Sequence, residues 1–116
     1  MKLHEDSRRT LIDWSDSMPI ETCKIVEAKE DCVLGNHYHK EKTERFMLIK
    51  GSADIFRYEV VDGIVVTNYG DRGPMTLHKP YIVRPGVRHS FWILKGSILL
   101  CLVDHKYNPK DDYEDE

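Results

Sequence analysis

Short β-rich runs separated by turn residues cover most of this 116-residue chain. No window of a dozen residues repeats apolar positions at the spacing of an amphipathic helix. Asp62-Gly63, between two such runs, predicts a hairpin. Many short strands of this kind predict an all-β protein built as an antiparallel sandwich or barrel. The predicted strands span residues 9–14, 21–28, 37–39, 44–50, 53–61, 64–69, 75–78, 81–84, 89–94 and 97–104.

The length and the net charge of the chain exclude several classes of protein. We expect one domain over residues 1–110, followed by an acidic, disordered tail at 111–116 whose like charges repel one another. The net charge of −3, with 20 acidic against 17 basic residues, weighs against nucleic-acid binding. Apolar runs are too short for a membrane-spanning helix, and the first residues show no secretory signal. Three widely spaced cysteines form no disulfide framework, so we predict a cytoplasmic protein.

Histidines and one carboxylate follow a shared pattern. Residues two apart in a strand point to the same face, so His37 and His39 should project together. Glu44 opens the next strand on a face with apolar neighbours, where a carboxylate is costly unless it is paired or bound to a metal. A Pro-Gly turn brings His89 to the start of a later strand. Three imidazoles and one carboxylate suit a divalent transition metal such as zinc, iron, nickel or manganese; an unmetallated polar cluster is the alternative.

These segments resemble the two motifs of the cupin superfamily, whose fold is an antiparallel jelly-roll β-barrel. The first motif is matched by His37-x-His39, four residues, Glu44, six residues and Gly51, and the second by Gly86, two residues and His89. The resemblance implies that both histidines of the first motif, the glutamate and His89 are metal ligands. The chain departs from the pattern at four positions, where Gly35 stands too close to the histidines and where His78, Arg84 and Ile93 replace Gly, Pro and Asn.

The residues of the first motif are similar to those of RmlC-like cupins that modify nucleotide-linked sugars. One such group is the cupin domain of capsule-sugar epimerase/reductases, and another is the thymidine-diphosphate keto-sugar 3,4-ketoisomerases, which generally work without a metal. The resemblance implies a sugar or sugar-nucleotide isomerase or epimerase that enolises a sugar beside its carbonyl. His37 and His39 are then candidate catalytic residues. Arg84 is a candidate partner for an anionic group, because the guanidinium fork matches diphosphate and carboxylate.

Two other functions remain open from the sequence. One is a non-catalytic metal- or ligand-binding cupin, which the small size favours. The other is a metal-dependent dioxygenase, which a three-histidine, one-glutamate site could support. In each case the expected partner is a small molecule, with a nucleotide-sugar as the first candidate. A homodimer is expected, with residues 9–14 at or near the interface, since a bare jelly roll leaves open sheet edges.

Overall fold

The computed structural model describes residues 2–15, 18–62, 64–68 and 73–113. Within them the chain forms strands and a single 3-10 turn at Pro109–Asp111. No helix in these ranges is long and apolar enough to cross a membrane. The strands are β1 (Lys2–Glu5), β2 (Thr10–Asp13), β3 (Thr22–Glu27), β4 (Cys32–His37), β5 (Glu44–Lys50), β6 (Ala53–Val61), β7 (Ile64–Asn68), β8 (Gly73–Pro74), β9 (Pro80–Val83), β10 (Val87–Ile93) and β11 (Ile98–Val103).

Two antiparallel sheets form the body of the fold. One has the order β4-β10-β6-β7, with β8 also paired to β6, and the other has the order β3-β11-β5-β9. The expectation of an all-β, antiparallel jelly roll is confirmed. The expectation of a barrel needs correction, because among the described residues no strand pairing joins the two sheets and no closed barrel is seen. Each of the two hydrogen-bonded ladders therefore ends at edge strands.

The core lies between the inward faces of the sheets. Along β11 the residues alternate between buried and half-buried, as a strand with one face in the core requires. Phe46 of one sheet meets Phe91 of the other with ring centroids 4.6 Å apart. Burial of each large apolar side chain of this kind stabilises the fold by about 1.5–3 kcal/mol. The other core members include Leu48, Ile55, Val83, Ile93, Leu99 and Val103.

The predicted strands match the structure where the apolar pattern is strong. β5 and β6 have the predicted bounds, and the partners of the 62–63 hairpin pair as β6 and β7; Gly63 and Tyr69 lie outside the described residues. The strand predicted at 75–78 is wrong, because this segment is a turn in which His78 has a φ of 63°. Of the strand predicted at 37–39, only His37 lies in a strand, where it ends the longer β4, and β1 was not predicted. In β4 the turn-forming residues Gly35 and Asn36 hid the apolar start of the strand, and β1 is short and mostly polar.

The end of the chain differs from the expectation of a disordered tail. Asp111 is only 4% exposed, and Tyr113 forms an antiparallel bridge with Tyr38. The carboxylate of Asp111 accepts hydrogen bonds from the backbone N–H groups of Lys40 and Lys42. These bonds hold the start of the tail against the rest of the fold. Residues 114–116 lie outside the described residues.

Candidate active site

Three histidines and one glutamate meet at one end of the sandwich. His37 ends β4 and lies directly opposite His89 of β10 in the strand register. Glu44 begins β5 in the facing sheet, and His39 lies in the loop that leads to it. The ring centroid of His37 is 4.7 Å from that of His39 and 4.8 Å from that of His89. The four residues that the sequence pattern grouped are therefore brought together by the fold.

Glu44 is the centre of this group. Its Oε1 atom lies 2.8 Å from Nε2 of His39 and 3.3 Å from Nε2 of His89. Its Oε2 atom faces the other way, 3.4 Å from Nζ of Lys24 and 3.5 Å from Sγ of Cys101. The side chain is 3% exposed, so the carboxylate is held in an interior where an unpaired charge would be costly.

Burial and neighbouring charges set the protonation of the cluster. Burial lowers the pKa of His37 to about 4, and the imidazoles of His89 and His39 act in the same direction. Burial acts to raise the pKa of Glu44, but the adjacent imidazoles of His39 and His89 outweigh it and hold that pKa well below its usual range. Near neutral pH the site therefore contains an ionised carboxylate and a neutral His37, which are the forms that bind a metal.

The polar atoms of the cluster fit a divalent metal. Nε2 of His39 and Oε1 of Glu44 are buried and face each other, yet neither has a hydrogen-bond partner of acceptable geometry among the described residues. One ligand atom from each of the four residues lies within 4.8 Å of all the others. Imidazole nitrogens and a carboxylate oxygen are ligands that divalent transition metals accept, so these four residues would hold such a metal between them.

Backbone carbonyl groups hold two of the rings. Nδ1 of His39 lies 2.8 Å from the carbonyl oxygen of Asp111, and Nδ1 of His89 lies 3.3 Å from that of Val87. A carbonyl oxygen can only accept, so each Nδ1 donates and each ring turns its Nε2 toward Glu44. This is the usual outer-shell arrangement of metal-binding histidines.

Arg84 lies apart from the cluster. Its side chain is exposed on the turn between β9 and β10, and among the described residues no hydrogen bond or ion pair joins it to a histidine or to Glu44. The same turn is linked to the site through its backbone, because the N–H of Gly86 donates to the carbonyl oxygen of His39 at 2.7 Å. Arg84 follows Val83, the partner of Glu44 in the strand register, so it lies at the rim of the site and not within it.

Sequence reasoning missed three residues around the cluster: Lys24, Cys101 and Asp111. Lys24 could have been recognised from the sequence, since it shares the inward face of β3 with Thr22 and Val26. Cys101 was expected to be a buried thiol, but its contact with Glu44 depends on the pairing of β11 with β5. Asp111 is 67 or more residues away in sequence from every ligand candidate except His89, and no local pattern marks it.

The sequence of residues 4–82 matches the family described as the polysaccharide biosynthesis C-terminal domain, over more than half of the chain. The chain belongs to the polysaccharide biosynthesis C-terminal domain family. No curated protein sequence matches this family member.

Solved structures show that this polysaccharide biosynthesis domain has the cupin fold. It is similar to a sugar 3,4-ketoisomerase from Thermoanaerobacterium thermosaccharolyticum crystallised with TDP, at 18% identity and a TM-score of 0.73, covering 98% of this chain and 83% of that one. It is similar to dTDP-4-dehydrorhamnose 3,5-epimerase from Sulfolobus tokodaii, at 20% identity and a TM-score of 0.74, covering 95% and 70%. A capsular polysaccharide assembling protein from Staphylococcus aureus matches at 19% identity and a TM-score of 0.63, covering 97% of this chain but 33% of that protein. The expected RmlC-like cupin fold is confirmed.

Proposed function

We propose that this chain is a metal-binding cupin that isomerises or epimerises a nucleotide-linked keto sugar through an enolate. The observation that carries the proposal is the buried group of three histidines around Glu44, open to solvent at the half-buried His37. The similar solved structures include a 3,4-ketoisomerase crystallised with TDP-4-keto-6-deoxyglucose and a 3,5-epimerase of a dTDP-sugar. Both reactions move a proton on a carbon beside a ketone.

The chemistry requires a group that takes this proton and a positive group at the enolate oxygen. His37 and His39 are the proposed catalytic histidines, and together with Glu44 and His89 they would hold the metal. When bound, zinc, iron, nickel or manganese would supply Lewis-acid stabilisation of negative charge on the substrate oxygen. His37 is neutral near pH 7 because burial holds its pKa at about 4. In the cluster without a metal, this neutral ring therefore offers a lone pair that can take the substrate proton.

Arg84 is the proposed contact for the diphosphate of the substrate. It is exposed at the rim, on a turn whose Gly86 is hydrogen-bonded to the backbone of His39. A planar guanidinium can bind two phosphate oxygens at once. This would leave the sugar end of the ligand directed at the histidines.

Deuterium exchange tests the enolisation directly. The metal-loaded protein is incubated with TDP-4-keto-6-deoxyglucose in D₂O, and proton NMR follows the signals of the carbons beside the ketone. We expect these protons to be lost with the wild type and with His4→Ala, whose histidine is exposed on β1, but not with His37→Ala. Binding without exchange would contradict the isomerase proposal and favour a non-catalytic cupin. Equal exchange in His37→Ala would contradict the role given to that residue.

We also propose a homodimer that uses the N-terminal hairpin. Among the described residues β1 and β2 pair only with each other, and Leu3 and Leu11 on them are 51% and 44% exposed. An isolated two-stranded hairpin is marginal in water, so a second copy is the natural support for it. Light scattering should give twice the mass of the chain for the wild type and a smaller mass for the doubly substituted Leu3→Glu, Leu11→Glu protein. A monomeric wild type would refute the dimer.

A further inference from the structure

The C-terminal segment 108–113 returns to the site and packs against the loop between His39 and Glu44. At its centre is the carboxylate of Asp111, which is almost fully buried. This carboxylate accepts the backbone N–H groups of Lys40 at 2.9 Å, Glu41 at 3.3 Å and Lys42 at 3.3 Å. Three successive donors thus share one carboxylate, and the shortest of these hydrogen bonds, from Lys40, has the length of a charge-assisted one. They hold the loop by its backbone, independently of the side chains of the three donors.

The same residue also holds the ring of His39. The carbonyl oxygen of Asp111 accepts from Nδ1 of His39 at 2.8 Å. A second acceptor, Oδ1 of Asp112, lies 3.1 Å from the same nitrogen. Both contacts require the proton on Nδ1 and leave Nε2 as the ring nitrogen that faces Glu44.

Contacts on both sides keep this segment in place. Before it, the side chain of Asn108 accepts the N–H of Lys110 at 3.1 Å. After it, Tyr113 exchanges two backbone hydrogen bonds with Tyr38, at 2.9 and 3.0 Å, and the two rings stack with centroids 5.3 Å apart. Nζ of Lys40 lies 4.2 Å from the Tyr113 ring centroid. The carbonyl of Asp111 is therefore fixed in space by groups that do not belong to the metal cluster.

We propose that Asp111 is a positioning residue that fixes the orientation of the His39 ring for metal binding. Its carboxylate anchors the loop, and this anchoring sets the place of the carbonyl that accepts from Nδ1. The inference rests on the proposed function in one respect, namely that His39 is a metal ligand. In this proposal the C-terminal segment 108–113 positions a metal ligand without binding the metal itself.

The test compares Asp111→Ala with Ser97→Ala. Ser97 is equally buried, and its hydroxyl joins the backbone N–H and C=O of Ser52 far from the cluster. Zinc affinity is measured by competition with a chromophoric chelator, and thermal unfolding is measured on metal-free protein. We expect both variants to unfold at lower temperature. Only Asp111→Ala should also lose about 10- to 100-fold in zinc affinity, the range typical of outer-shell partners.

A second readout uses metal-free protein at a fixed pH of 8. Long-range ¹H–¹⁵N spectra should show a hydrogen-bonded proton on Nδ1 of His39 in the wild type and in Ser97→Ala, and a weakened signal of this proton in Asp111→Ala. If Asp111→Ala does not fold, Asp111→Asn should give a smaller change of the same sign, because the amide oxygen can accept only part of the loop's hydrogen bonds. An unchanged Nδ1 signal of His39 together with an unchanged zinc affinity in a folded Asp111 variant would overturn the proposal, as would an effect confined to Asp112→Asn. A wild type that binds no zinc would refute the metal site, and the metal-free spectra would still decide the role of Asp111.

Discussion

Among the glycines that the structure describes, Gly51 is predicted to be the least replaceable. It follows β5 with a φ of +90°, and a Cβ built on it would lie 2.1 Å from Oγ and 2.7 Å from Cα of Ser97. The Cα of Ser97 belongs to the backbone and cannot rotate away. Alanine in the left-handed region costs about 1–2 kcal/mol, and forcing extra atoms into a packed site costs roughly 1–3 kcal/mol more. Gly51→Ala should therefore lower the free energy of unfolding by about 2–5 kcal/mol.

Gly96 and Gly86 provide matched controls for this prediction. They have φ values of +84° and +85°, but a Cβ on either would meet nothing within 4 Å. Alanine at these positions should cost only the backbone term of about 1–2 kcal/mol. Urea unfolding of the three metal-free variants, followed by tryptophan fluorescence, separates the two terms. If Gly51→Ala is no less stable than Gly96→Ala, the steric argument is refuted, and the contact with Ser97 does not explain why glycine stands at position 51.

Three further predictions concern the site and its surroundings. His37 should become protonated only near pH 4 in the folded protein, but near about pH 6.5 in the unfolded chain. Between these pH values the unfolded state binds more protons, so the free energy of unfolding of the metal-free protein should fall as the pH decreases. An NMR titration that gives a pKa near about 6.5 for His37 in the folded protein would contradict this. Cys101 is 1% exposed and burial raises its pKa, so iodoacetamide should alkylate the exposed Cys23 and spare Cys101 in the native protein, as peptide mass spectrometry can check. Arg84→Ala should raise KM for TDP-4-keto-6-deoxyglucose about tenfold with little change in kcat, since a charged hydrogen bond contributes about 1.5 kcal/mol or more; a lower kcat at unchanged KM would contradict its role as a diphosphate contact.

The sequence predicted the strands that carry the core, because alternation and turn residues are local signals. β11 shows this best, since a strand was predicted at 97–104 and its half-buried and buried residues alternate. β5 was predicted with its observed bounds from its apolar run, although both of its faces are buried. The segment 75–78 shows the limit, since β-rich residues there form a turn that is held by the backbone of β5 through His78. That contact joins residues about 30 positions apart, and no propensity encodes it.

The candidate ligands were predictable because their spacing is short and the motif order is specific. His37, His39 and Glu44 lie within eight residues, and the register of β4 with β10 then places His89 opposite His37. The partners of these ligands were not predictable. Lys24 and Asp111 reach Glu44 and His39 only through the pairing of β3 with β11 and the return of the chain end. Arg84 was given a site role by its position before the turn, and the structure places it only at the rim.

Metal binding to the wild type and to Glu44→Gln tests the central claim most directly. Glu44 contacts two of the histidines and supplies the only carboxylate of the cluster among the described residues. Purified proteins, together with His37→Ala, are dialysed against zinc, nickel or manganese, and the metal content is measured by elemental analysis. We predict one equivalent of metal per chain in the wild type and a large loss in both variants. A wild type without metal, or variants that retain a full equivalent, would contradict the assignment of this cluster as a metal centre.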